Sequence, residues 1–240
     1  MNLFRKAFVL SILILQVSAI GAQTTPIAFS WTKFPHSIHI LDSLISRSSS
    51  YGLNKSEYAG LPKSMIGDSV KLNTVIDQIA IHFFSDLAIG TKPSSIFYHG
   101  VQFKIDKQTV ITQVYQFATA DKLADLVNVY NNQSKEITLL INELKKLQDS
   151  TPRPNKAIQI ISKAINDYKW LHAIEKNNKI ILVNLPSTKL RVLENGRQVM
   201  QMKLIVGKPA TPSGTLTAVV NQVVINPYWN VPKSIMVREM

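Results

Sequence analysis

Residues 179–206 read KIILVNLPSTKLRVLENGRQVMQMKLIV, and this stretch decides the fold class. Lys179 to Leu185 is a β-rich apolar run, and Lys189 to Glu194 alternates Leu190 and Val192 against Lys189 and Arg191. Period-two alternation belongs to a strand with two unlike faces. Asn195-Gly196 follows, two residues that tolerate the positive φ of a type I′ turn. Arg197 to Val206 then returns, with Val199 set against Met200, Met202, Leu204 and Val206, and Gly207 and Pro209 end it. Thr215 to Asn226 carries Val219, Val220, Val223, Val224 and Ile225, and reads as one more strand, apolar on both faces and therefore interior.

Upstream the period changes to that of helices. Ile38, Leu41, Leu44 and Ile45 share one helical face. Asp68 is placed to cap a longer helix with Leu72, Val75, Ile76, Ile79, Phe83 and Leu87 on one side, and Gly90 is its natural stop. Helical stretches follow at Thr109 to Phe117 and at Asp121 to Tyr130, and a third carries Ile137, Leu140, Ile141, Leu144 and Leu147. Pro152 and Pro154 break the chain, and Asn155 to Trp170 resumes with Ile158, Ile161 and Ile165. These stripes read as core. Helices first and antiparallel strands after make an α+β chain, with a helical domain at 35–173 and a β-rich one at 177–240.

The 240 residues are 45% apolar and 18% charged, which are globular values, and no repeat or low-complexity tract appears. The net charge of +12 favours anionic partners such as an anionic cell envelope. No tight Lys/Arg run and no aromatic-studded basic strand accompanies it, so nucleic acid is not the expected partner. Residues 1–22 have the order of a secretory signal peptide: Arg5 and Lys6, an apolar run from Ala7 to Val17, then Ala19, Gly21 and Ala22. That run is too short to span ~30 Å of hydrocarbon, which favours a cleaved signal over an anchor. The reading is export, to the periplasm or cell envelope.

Chemistry is hard to place on these residues. There is no cysteine, hence neither a thiol nucleophile nor a thiolate metal site. His36 and His39 lie three apart with Asp42 three further on, and a solvated helix face explains them better than a metal, which needs three or four convergent ligands. No Gly-x-Ser-x-Gly elbow occurs, Ser48 to Ser50 is a short polar loop, and the nine glycines are too scattered to cradle a phosphate. No cofactor, metal or complete catalytic set is assigned.

The β-rich part resembles the opening of the L,D-transpeptidase catalytic domain. The residues that carry the resemblance are Ile180 to Pro186, Leu190-Arg191-Val192 and Glu194-Asn195-Gly196, then Lys203 to Pro209 and Thr211-Pro212-Ser213-Gly214. Asn226-Pro227-Tyr228-Trp229-Asn230-Val231-Pro232, followed by Ser234-Ile235, is the most specific of them. Phe84 to Gly90 and Tyr168 to Leu171 are similar to the helical scaffold of the large gram-negative subgroup. Lys233 stands where a second Pro is usual, and Ser213 to Leu216 follows the general family pattern more than the subgroup's.

The resemblance implies acyl transfer in peptidoglycan: a cysteine thiolate attacks a stem peptide, expels D-alanine, and passes the acyl group to an amine. The family's His-Gly and Ser-x-Gly-Cys-x-Arg segments are not present, so the expectation is an incomplete catalytic domain, inactive by itself. A non-catalytic exported peptidoglycan-binding or scaffold protein is the alternative. Tyr228, Trp229 and Asn230 are the candidate substrate-binding residues, combining stacking faces with an amide for a glycan or stem peptide. Packing of Tyr228 and Trp229 against the sheet is the competing role for the two rings.

Overall fold

A computed structural model describes residues 29–58, 60–61, 69–226 and 228. Six helices come first: α1 (Pro35–Ser46), α2 (Ser69–Ile89), α3 (Lys107–Thr119), α4 (Leu123–Asn131), α5 (Lys135–Asp149) and α6 (Asn155–Asn177). A three-stranded antiparallel sheet follows, β1 (Lys179–Asn184), β2 (Lys189–Glu194) and β3 (Arg197–Lys203), in the order β1-β2-β3. The chain is α+β, in the order its periodicities dictate. Among the described residues no helix is long and apolar enough to cross a membrane.

The main core is built from the stripes of α1 to α4. Leu41, Leu44 and Ile45 of α1 meet Ile76, Phe83, Phe84 and Leu87 of α2, with Val110, Val114, Leu123 and Leu126 closing the cluster. The three-residue turn Trp31–Lys33 is fastened to this core through Asp77. The Trp31 indole N–H donates to Asp77 Oδ1 at 3.0 Å, and the Tyr115 hydroxyl donates to Oδ2 at 3.0 Å. One carboxylate on α2 therefore serves a buried indole and a tyrosine from α3. A second, smaller core lies between α5 and α6, where Ile137, Ile141 and Leu144 meet Ile165.

Helix starts follow the capping side chains. Asp106 Oδ1 accepts the Thr109 N–H at 3.0 Å, so α3 opens two residues ahead of the expected Thr109, and Ser134 Oγ caps α5 from Ile137 N–H at 3.2 Å. α4 starts later than expected. Asp121 has φ +55, outside the helical region, and its carboxylate lies 2.7 Å from the buried Ser37 hydroxyl. Ser48 to Ser50 is no open loop either, since Ser48–Tyr51 forms a 3-10 turn with Ser48 buried. Asp68 lies outside the described residues.

α6 runs unbroken past residue 173 to Asn177, and β1 begins two residues later. Three hydrogen bonds staple this joint. The Asn178 side chain accepts Lys104 N–H at 3.3 Å and donates to Lys104 O at 3.1 Å. The Gly196 N–H, at the hairpin tip, donates to Glu175 O at 2.9 Å and so caps an otherwise free carbonyl in the last turn of α6. α6 packs against β2, with Ile174 on one and Leu193 on the other buried. Burial raises the Glu175 carboxyl pKa, and Arg191 opposes that rise.

The fourth strand does not form. Residues 215–226 form no strand ladder, and their one bridge is Phe97 to Leu216, with Thr217 N–H donating to Phe97 O at 2.7 Å. A strand apolar on both faces needs neighbours at its edges and cover on its faces. Neither is present among the described residues, and Ile225 is 83% exposed.

Candidate functional site

The sheet presents two unlike faces. Register places Val192 between Ile181 and Met200, and Leu190 between Val183 and Met202. These six side chains share one face, and four of them, Ile181, Val183, Met200 and Met202, are about half exposed. The opposite face carries Leu193 and Arg191 toward α6. A register shift between Val192 and Leu193 leaves Val199 as the extra residue of a bulge, so it stands outside the alternation expected for β3. At the hairpin tip Asn195 has φ +50 and Gly196 φ +74, the pair of positive values that a type I′ turn requires.

Beyond β3 the chain closes a small loop. Thr211 N–H donates to Lys208 O at 2.9 Å, and Gly207 N–H donates to Ser213 Oγ at 2.9 Å. A Cβ at Gly207 would stand 2.2 Å from Thr211 O, so no side chain fits there. The Gly-Lys-Pro-x-Thr-Pro-Ser run thus encodes a closed loop, with glycine for the close approach and serine for the clasp.

Of the three candidate binding residues, Tyr228 is 98% exposed and does not pack on the sheet. Trp229 and Asn230 lie outside the described residues. His36, His39 and Asp42 are all exposed on α1, and no group of three or more His, Cys, Asp or Glu stands ready for a metal among the described residues. The apolar sheet face was legible only in part, because Leu190 and Val192 show their alternation while Met200 and Met202 join them through the bulged register.

An antiparallel sheet entered from a long helix, followed by a serine-clasped loop and the exposed Tyr228, defines an α+β protein. Residues 178–240 match the family model of the L,D-transpeptidase catalytic domain (YkuD). The match covers about the last quarter of the chain, and the helices that precede β1 lie outside it. No curated protein and no solved structure matches the chain.

Proposed function

We propose that this protein acts on peptidoglycan, as an L,D-transpeptidase segment that engages stem peptides and is exported to the cell envelope. The observation that carries the reading is the family match over 178–240, which takes in the loop at 207–213 and the Asn226-to-Pro232 motif. The reaction proposed for the family's complete site is acyl transfer. A thiolate attacks the stem-peptide carbonyl, the C–N bond to the terminal D-alanine breaks, and the thioester passes its acyl group to an amine. These 240 residues contain no cysteine, so their proposed share of that work is recognition and support.

Tyr228, Trp229 and Asn230 are the proposed contact residues. An exposed phenol ring, an indole and an amide in three consecutive positions offer stacking and hydrogen bonding to a sugar or peptide. The basic balance of the chain adds attraction to an anionic wall. Co-sedimentation with purified sacculi tests the reading. The chain is expected to pellet with them, and Trp229→Ala to weaken binding about tenfold, the loss of one stacking contact. Failure of the wild-type chain to pellet overturns it, and unchanged binding by Trp229→Ala removes the assignment of the motif.

A further inference from the structure

α6 lays Ile158, Ile161 and Ile165 along one side, and the next position of that stripe, four residues on, is Lys169. The Lys169 side chain is completely buried. Its ammonium has three protons to place, and among the described residues its one hydrogen bond runs 3.3 Å to Oδ1 of the neutral Asn131, at the end of α4. α2 ends directly above it. Gly90 has φ +71, and a Cβ there would stand 2.9 Å from Lys169 Cβ and 2.3 Å from Asn166 O. Among the described residues the charge acting on the amine is Asp86, in the last turn of α2. Asp86 Oδ2 accepts the Tyr58 hydroxyl at 2.9 Å and lies 3.2 Å from His82 Nε2, with Glu57 and Lys107 acting on it from farther off.

The chain leaving Gly90 is the strap between helices and β part. Phe97 holds Leu216 and Thr217, and Lys104 holds Asn178 at the α6–β1 joint. We propose that Lys169 is a proton-sensitive peg beneath this strap: with the amine neutral the end of α2 is held on α6, and with it protonated the end of α2 and residues 91–106 loosen. An uncompensated ammonium in an apolar junction favours any opening that admits water. Burial brings the Lys169 pKa down from 10.5 to about 7, and Asp86 opposes the fall. The opened form binds the proton below about 10.5 and the closed form only below about 7, so falling pH favours opening across that window and adds nothing further below it. Burial also raises the Asp86 carboxyl, which weakens its support as the solution becomes acidic.

Hydrogen exchange on the full chain, corrected for intrinsic rates and referenced to α5, tests this at pH 6 and pH 9. Peptides covering 84–106 are expected to open at least about tenfold more readily at pH 6, and those of Lys169→Met equally at both. No difference in the wild-type chain, or the same difference in Lys169→Met, overturns the proposal. If Lys169→Met does not fold, lysine Cε resonances of the wild-type chain decide. One is expected to titrate near neutrality, and titration of every lysine above pH 9 overturns the peg.

Discussion

At the scale of single residues, the two ends of the Gly90–Lys169 contact have opposite consequences for stability. Gly90→Ala asks an L side chain to adopt φ +71 and to push its Cβ to 2.3 Å from the Asn166 carbonyl. It is expected to cost at least about 2 kcal/mol in denaturant unfolding, the left-handed penalty with the clash added. Lys169→Met removes a buried cation and leaves Asn131 Oδ1 without a donor. Because the folded pKa lies below that of the unfolded chain, the penalty in the wild-type is full below about pH 7 and gone above about 10.5. The Met variant is therefore expected to gain about 2–4 kcal/mol at pH 6, with the gain vanishing toward pH 10.5. A gain independent of pH contradicts the assignment of the charge. Lys169 was within reach of the sequence, since it sits four residues after Ile165 on an apolar stripe. A lysine at such a position usually extends its amine to water, and only the packing of α2 and α4 over it shows that this one does not.

At the scale of elements, the joint between helices and sheet is tied by hydrogen bonds from both sides. α6 continues to Asn177, Asn178 is tied to Lys104, and Gly196 caps Glu175. Those bonds cross the place near Asn177 where the periodicity changes from helical to β. Limited proteolysis is accordingly expected to spare 173–203 and to cut within 204–226, where the chain forms no helix or strand ladder and most residues are exposed. Cleavage concentrated at 177–178 contradicts the staple. Helices and the hairpin were legible because their stripes, breakers and Asn-Gly turn are local signals. The unpaired state of 215–226 agrees with the same reading, because Val219, Val220, Val223, Val224 and Ile225 specify a strand only when partners stand beside them and are exposed without them. The candidate site is a sequence motif, from Asn226 to Pro232, and of its three proposed binding residues only Tyr228 lies among the described residues.

At the scale of the whole molecule, composition and the family match bear on where the protein works and what it can do there. The residues ahead of Gln23 read as an export signal, so mass spectrometry of the protein from expressing cells is expected to show a new N-terminus between about Ile20 and Thr24. An intact Met1 in the cytoplasmic fraction contradicts export. Incubation of the 240-residue chain with a carbapenem is expected to leave its intact mass unchanged, since the chain offers no thiol to acylate. A stable adduct would place a nucleophile on another side chain. The central claim is that this chain recognises peptidoglycan stem peptides through Tyr228, Trp229 and Asn230. Titration of a soluble stem tetrapeptide into the isotope-labelled chain, followed through the indole N–H resonances of its three tryptophans, tests it most directly. A saturable shift of the Trp229 resonance is expected, with Trp31 unmoved in its buried site. A Trp229 resonance that stays in place at saturating peptide contradicts it.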